Sequence, residues 1–504
     1  MSAWSDSADS GVDTRRHPSE LRLLPPPDPP RAVYCNRTVN LRRIRAVGYD
    51  MDYTLVHYRV DEWERAAFEH ARGLLAARGW PVDHLVFDPS AYIQGLVFDL
   101  ERGNVLKATR FGYVMRADHG TRPLTFPQLR EAYEETFVHL SDERFQFMNT
   151  LFSLSQASLF AQLVDLADGD KLPGPTGYFE VWKVLGEVLE ESHTQGELKA
   201  SIVADPERFV EPDADLPLTL LDQREAGKLL MLVTNSDWSY TQAMMSFAVE
   251  PFLPEGMGWR DLFHIVIVDA DKPRFFSAQN PLYRVVQAPG LGAVTGDGDA
   301  VPLLQRHRGR VEPGGVYAGG DARLVERSLG MSGSEILYVG DHLFGDVHVT
   351  GEMLRWRTGL VLRELEHEVR ALLAFGPIEA ELARLMEDKT QVDRELAILR
   401  LARLRRRRGH GPILAVPDLS ARIEEVSARA AALDGAIAPL ARAAGRIGNA
   451  HWGPLMRAGG DRSLFARQVE RYADFYTSRV SNLLYETPFA YLRAVRTNLP
   501  HDPV

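Results

Sequence analysis

Apolar residues gather along this chain in short runs that stop at polar residues. Runs at residues 44–49 (IRAVGY), 229–233 (LLMLV), 264–268 (HIVIV), 335–339 (EILYV) and 359–362 (GLVL) have the length and branched content of buried strands. A different period governs residues 61–78, where Trp63, Ala67, His70 and Leu74 recur at helical spacing. Between residues 221 and 365 strand-like and helical segments alternate. That alternation predicts an α/β fold, a doubly wound parallel sheet with helices on its faces.

The same pattern divides the chain. Residues 1–35 are polar and then proline-rich (LLPPPDPP), too poor in apolar surface to offset their ordering entropy, and predict a disordered tail. A first part of the core is expected over 36–105. The stretch 80–220 shows strand-like pieces at 85–88 (LVFD) and 95–100 (GLVFDL), then mostly helical spacing to about residue 210. It is too long for a simple crossover, so an inserted cap carrying substrate-recognition residues is expected over 106–215. The core resumes over 216–365. Its glycine-rich part, 287–320, reads as a hairpin or long loop rather than core. From 366 to 504 the pattern is helical, with one interruption at GHGPILAVPD. No internal repeat is evident.

Composition narrows the function classes. With 504 residues, 45% hydrophobic and 25% charged, the chain has the make-up of a large globular protein. A net charge of −11 argues against a general nucleic-acid binder. The single cysteine, Cys35, excludes an internal disulfide framework and fits a reducing compartment. No apolar run approaches the roughly 18–20 residues of a membrane-spanning helix, and the N-terminus lacks the basic start and apolar stretch of a signal peptide. The expectation is a cytoplasmic protein with no membrane partner.

The polar residues that end the runs are the ones phosphoryl transfer needs. Asp50 and Asp52 follow the first run; two carboxylates two apart can serve as nucleophile and as general acid/base. A carboxylate attacking a phosphate dianion needs a cation, and Mg²⁺ with oxygen ligands fits, with Asp341 and Asp346 as further donors. Thr234, Asn235 and Ser236 follow the second run, where a hydroxyl and backbone N–H groups can cradle phosphate. Lys272, after the third, can offset repulsion between phosphate and nucleophile. Each motif has a plainer reading: a strand-end turn for Asp50 and Asp52, a cap for the helix near Trp238, a solvated lysine. His342 reads as a packing or capping residue. Their shared placement after strand-like runs favours one site, in the crevice beyond the carboxyl ends of the strands.

In this order DMDYTL, TNSD, VDADKPRFF and ILYVGDHLFGDV resemble the haloacid dehalogenase superfamily, and most closely its cytosolic purine (IMP/GMP-preferring) 5′-nucleotidase family. GNVLKATRFGYVMRADHG, FMNTLFSLSQASLFAQLVD, HTQGELK and SLFARQVERYADFYTSRVSNLLYETPFAYLRA extend the likeness over most of 35–500. The resemblance implies that Asp50 becomes an aspartyl-phosphate and that Asp52 is the acid/base. Thr234, Asn235 and Lys272 would hold the phosphoryl group. Mg²⁺ would sit on Asp50, the Asp52 carbonyl and Asp341, with Asp346 in support. Phe152 and Asn149 fall on base-contacting positions; Glu190, His193 and Lys199 fall on other substrate contacts. It also implies phosphotransfer to nucleosides and a homo-oligomer.

There are departures. Gly186 stands where the family has a purine-recognising arginine, and Glu190 where it has Asp. In the activator site Phe344, Gln468, Arg471 and Tyr472 are kept, but His139 and Glu352 replace two cations, which weakens polyphosphate binding. Two patterns point to structure instead. Phe465, Val469, Tyr472 and Tyr476 have the spacing of a buried helix face, and the run Arg403–Arg408 reads as a solvated helix end.

Overall fold

The computed structural model describes residues 27–174, 176–194, 196–286, 293–294, 300–301, 303–412 and 416–494. The side chains of His193 and Thr194 lie outside that description.

A ten-stranded sheet forms the centre. Its order is Tyr34–Cys35, Phe475–Thr477, Arg357–Val361, Ile336–Gly340, Ala46–Tyr49, Leu229–Val233, Ile265–Val268, Gly315–Gly319, Leu282–Val286, Leu303–His307. The seven strands from Phe475–Thr477 to Gly315–Gly319 run parallel, and the outer ones are antiparallel. The inner strands Ala46–Tyr49, Ile265–Val268 and Ile336–Gly340 are buried at every position, as expected of a parallel sheet covered on both faces. That explains why they appear in the sequence as continuous apolar runs.

After the edge strand Tyr34–Cys35, the chain enters the parallel part of the sheet at its middle with Ala46–Tyr49. It fills one side with the strands at 229, 265 and 315, then crosses back to fill the other with those at 336, 357 and 475. The reversal falls between Ala46–Tyr49 and Ile336–Gly340, and the crevice beyond their carboxyl ends is where such sheets hold ligands.

Several expectations need correction. Residues 100–147 are not mainly helical. Arg122–Pro123, Val114–His119, Asn104–Ala108, Val97–Asp99 and Phe145–Phe147 form a separate antiparallel sheet, in that order. The strand pattern is masked by polar residues buried in it: Asn104 donates to Tyr133 Oη (2.6 Å), and Lys107 donates to the carbonyls of Trp452 (2.7 Å) and Pro454 (2.6 Å). Residues 85–88 form no strand and run between two turns, with the Asp88 carboxylate accepting from the Ser90 N–H (2.8 Å). Gly315–Gly319, expected in a loop, is a core strand paired with Ile265–Val268. The C-terminal part, expected to be helical, also supplies the strand Phe475–Thr477. Tyr476 therefore lies outside the helix Leu464–Tyr472 whose face it was expected to continue. The tail ends earlier than expected: Pro29–Arg31 form a helical turn with Pro30 buried, and Tyr34–Cys35 pair with Phe475–Thr477. Residues 1–26 lie outside the described residues.

The antiparallel sheet bears on the site because Phe145–Phe147 leads directly into Asn149, Thr150 and Phe152. Its entry is fixed by Arg144, whose Nε and Nη2 meet the fully buried Asp99 carboxylate at 2.8 and 2.7 Å. Removing the guanidinium leaves a buried charge with Tyr133 Oη as its remaining side-chain donor (2.8 Å). We predict that Arg144→Met destabilises the protein by about 3–5 kcal/mol. Chemical denaturation would measure it; a loss below about 1 kcal/mol would show that this pair does not anchor the sheet.

Candidate active site

The site is assembled where apolar strands run out of burial. Asp50 leaves the central strand with its N–H still bonded to the Val339 carbonyl (2.9 Å), and Thr234 N–H likewise bonds the Ile267 carbonyl (2.9 Å). After Asp52 the chain turns sharply at Tyr53, whose φ of 54° is left-handed and costly for a tyrosine. Leu55 and Val56 N–H both close back on the Met51 carbonyl at 2.9 Å. Asp341 follows the neighbouring strand, and Asp346 lies on the short helical turn Leu343–His348. His342 accepts from the Gly345 N–H (2.7 Å), and burial lowers its pKa. It is the cap the sequence suggested.

Asp50, Asp341 and Asp346 are all buried and each places a carboxylate oxygen within 4.8 Å of the others. Lys272 Nζ reaches into the group, 2.7 Å from Asp50 Oδ2 and 2.8 Å from Asp346 Oδ1. One ammonium faces three carboxylates. Burial, opposed by Lys272 and reinforced by Asp346 and Asp52, pushes Asp50 up to about 8. Burial and the charges of Asp50 and Asp346 hold Asp341 well above the usual carboxylate range. Burial works to lower the Lys272 pKa, but Asp346 and Asp50 outweigh it and hold the ammonium charged. Excess negative charge among hard oxygen donors fits a divalent cation.

Besides its carboxylate partners, two residues hold Lys272 in place. Its backbone N–H donates to Asn235 Oδ1 (2.7 Å), and Asn235 Nδ2 donates back to its carbonyl (3.1 Å). Its Nζ meets Tyr338 Oη at 3.2 Å, and that hydroxyl donates to the Val233 carbonyl (3.0 Å). The Tyr338 ring fits because its neighbour is Gly48, where a Cβ would stand 2.7 Å from the ring. Asp52 is separate from the carboxylate group. Its Oδ1 accepts from Tyr58 Oη (2.6 Å) and its Oδ2 from Ser236 Oγ (2.7 Å). Asp237, not Thr234, caps the helix Trp238–Ala248 through the Tyr240 N–H, so the turn of Thr234 and Asn235 is not spent on capping.

The structure therefore brings Asp50, Asp52, Thr234, Asn235, Ser236, Lys272, Asp341 and Asp346 together. Lys199 joins them, 3.4 Å from Ser236 Oγ. Phe152 is half-buried, edge-on to Tyr53 (4.6 Å between ring centroids) and Trp63 (5.5 Å). Asn149 Oδ1 is buried without a hydrogen-bond partner among the described residues. Glu190 is exposed on the helix Tyr178–Thr194, and the His193 side chain lies outside the described residues. Sequence reasoning missed Tyr58, Tyr338 and Thr150, whose Oγ1 donates to Asp341 Oδ2 (3.1 Å). Thr150 adjoins Asn149 and was within reach of the motif; Tyr338 sits inside an apolar run and Tyr58 between His57 and Arg59, where nothing local marks either.

Gly340 ends the strand immediately before Asp341. A Cβ there would stand 2.3 Å from Asp346 Oδ2 and 2.6 Å from its Cβ, so Gly340→Ala must displace the carboxylate. We predict a divalent-metal affinity lowered about 10–100-fold with the fold retained, read by calorimetric titration. An unchanged affinity would remove Asp346 from the cation site.

Comparison with known proteins agrees with this arrangement. The sequence model of the 5' nucleotidase family matches residues 33–504. The human 5'-nucleotidase domain-containing protein 2 is 28% identical over 514 residues, covering 96% of this chain and 88% of that protein. The rat protein of the same name is 30% identical, covering 74% and 68%. A 5'-nucleotidase domain-containing protein of Dictyostelium discoideum is 27% identical, covering 96% and 76%. A solved structure, described as a predicted phosphoglycolate phosphatase from Haemophilus somnus, shares 11% identity at a TM-score of 0.26, covering 63% of this chain and 85% of that one. The fold assignment rests on the strand order rather than on that likeness. With its family model spanning the sheet, the insertion and the C-terminal strand, this chain is an enzyme of the 5′-nucleotidase family, of the haloacid dehalogenase type.

Proposed function

We propose that the enzyme removes the 5′-phosphate of purine nucleoside monophosphates and uses Mg²⁺ at the carboxylate group. The observation that carries this reading is Lys272 held between Asp50 and Asp346 at the strand ends, with Asp52 on separate hydrogen bonds beside them. Asp50 Oδ attacks phosphorus, and the bond from phosphorus to the 5′ oxygen breaks as Asp52 gives that oxygen its proton. Asp52 then takes a proton from water, which attacks the aspartyl-phosphate, releases inorganic phosphate and restores Asp50. A nucleoside hydroxyl in place of water would give phosphotransfer. Lys272, Thr234, Asn235 and Ser236 hold the phosphoryl oxygens. Mg²⁺, held by Asp50, the Asp52 carbonyl, Asp341 and Asp346, would neutralise charge and polarise the phosphoryl group.

Phe152 gives the base an aromatic face and Asn149 Oδ1 offers an unpaired acceptor; Glu190, Lys199 and, from the resemblance alone, His193 are assigned the other substrate contacts. Gly186 opens onto empty space, with nothing within 4 Å of a would-be Cβ, and has no side chain to make the contact of the family's arginine. Activation by nucleotides is not part of this reading. Glu352 already engages His348 (3.1 Å) and faces Arg471 at 3.9 Å, where a polyphosphate would need cations. A cytoplasmic homo-oligomer remains the working assignment; among the described residues no helix is long and apolar enough to cross a membrane.

Asp50→Asn should abolish phosphate release, because an amide is a poor nucleophile and a poorer metal ligand. Asp52→Asn should slow both half-reactions, and chelation should stop turnover until Mg²⁺ is returned. Near-normal phosphate release by Asp50→Asn would refute the covalent route, and wild-type rates in Asp52→Asn would refute the acid/base assignment.

Base preference should be purine but loose. Stacking contributes about 1–3 kcal/mol with little discrimination, whereas sharp discrimination needs hydrogen-bonding groups left unpaired by the wrong base. The measurement is kcat/KM for IMP, GMP, AMP and UMP beside Phe152→Ala. IMP and GMP should exceed AMP only modestly, and Phe152→Ala should lower all purines. A pyrimidine preference, or no effect of Phe152→Ala, would reject the stacking pocket.

A further inference from the structure

The arginine run left over from the sequence ends the helix Leu365–Arg408, which pairs with the helix Leu419–Ala444 in a hairpin with its own apolar seam. Val392, Leu396, Leu399 and Ala402 pack there against Leu419, Ile423, Val426 and Ala430. The second helix returns to the body near Gly445, whose carbonyl accepts from Arg116 (2.9 Å). Its 26 residues at 1.5 Å each place the tip about 39 Å from that point.

The tip combines two features that a solvated helix end does not need. Residues 396–412 carry six arginines (400, 403 and 405–408) and no acidic residue, in a chain whose net charge is −11. The helix dipole accounts for cations in the last turn only. Among the described residues Arg400, Arg403, Arg406, Arg407 and Arg408 form no ion pair, whereas Arg422 and Arg429 further up the hairpin pair with Glu395. Opposite the buried seam, Ile398, Leu401 and Leu404 are 52%, 45% and 45% exposed. Arg405 and Arg408 continue the i, i+3, i+7, i+10 stripe begun by Ile398 and Leu401, so aliphatic and guanidinium groups share one face.

We propose that the tip of this hairpin docks on an anionic phospholipid bilayer. Arginines would meet lipid phosphates while Leu401, Leu404 and Ile398 enter the headgroup boundary, the pairing of signals that stable surface attachment takes. This is contact with a surface, distinct from the spanning helix that the sequence lacks. The acidic body does not oppose it, because about 39 Å is several times the screening length of about 8 Å at physiological salt. Nucleic acid is the poorer occupant. Residues 396–412 hold no aromatic side chain to stack on bases, and exposed aliphatics would have no part in phosphate contact.

The test is sedimentation of the full chain with vesicles of phosphatidylcholine alone or with about 30% phosphatidylserine. Binding should require the anionic lipid and fall with salt. Arg406→Gln with Arg407→Gln and Arg408→Gln should weaken it about 100-fold, at roughly fivefold per arginine. Leu401→Ser with Leu404→Ser should weaken it at least about tenfold while the circular dichroism spectrum and phosphate release stay unchanged. Equal binding to neutral vesicles, no binding, or indifference to either set would overturn the proposal. Failure to bind vesicles, together with arginine-dependent binding of a single-stranded RNA, would assign the tip to nucleic acid. Self-association lost in the leucine variant, without vesicle binding, would assign it to a second copy of the chain.

Discussion

The site depends on one buried ammonium. Lys272 is the only cationic side chain within ion-pair reach of Asp50 and Asp346 among the described residues, and it stands in a group of three buried carboxylates. Its attraction for two of them is what allows like charges to share a low-dielectric crevice at all. The remaining imbalance raises Asp50 and Asp341 above their ordinary range. A divalent cation would relieve it. The site is therefore poised for metal by the same crowding that would otherwise destabilise it.

Holding that ammonium in place constrains residues far from the chemistry. Tyr338 braces Nζ, and its ring needs the absence of a side chain at Gly48 on the adjacent strand. Asn235 clamps the Lys272 backbone from the end of the next strand over. The site thus draws on four neighbouring strands, each of which ends at the same level because the parallel ladder sets their register. The reversal of strand order between Ala46–Tyr49 and Ile336–Gly340 opens the crevice in which these ends meet.

Asp52 illustrates how two carboxylates two residues apart acquire different surroundings. Asp50 points into the crowded, buried group, whereas Asp52 is turned onto two neutral hydroxyls, Tyr58 and Ser236. The chain makes its left-handed turn just after them, at Tyr53. In the proposed reaction, the division of labour between nucleophile and acid/base follows from environment rather than from residue type.

The sequence alone determined the parallel core and the polar residues that end its strands. Strands buried on both faces must be apolar throughout, and the carboxylates, hydroxyls and lysine after them break that run where it can be read. Apart from the strand-like run at 95–100, which is the strand Val97–Asp99, it did not disclose the antiparallel sheet of residues 97–147, because Asn104 and Lys107 are buried polar groups satisfied by Tyr133, Trp452 and Pro454, partners that local spacing cannot reveal. Nor did it disclose the core strand Gly315–Gly319, whose glycines suggest a loop, or Phe475–Thr477, which is a strand only because Arg357–Val361 offers an edge. At the site, the identities of Asp50, Asp52, Lys272, Asp341 and Asp346 were legible, and their separation into a metal-ready group and an isolated Asp52 was not. Which oxygen meets which donor depends on Tyr58, Ser236, Tyr338 and Thr150, and contacts between residues far apart in sequence exist only once the chain has folded.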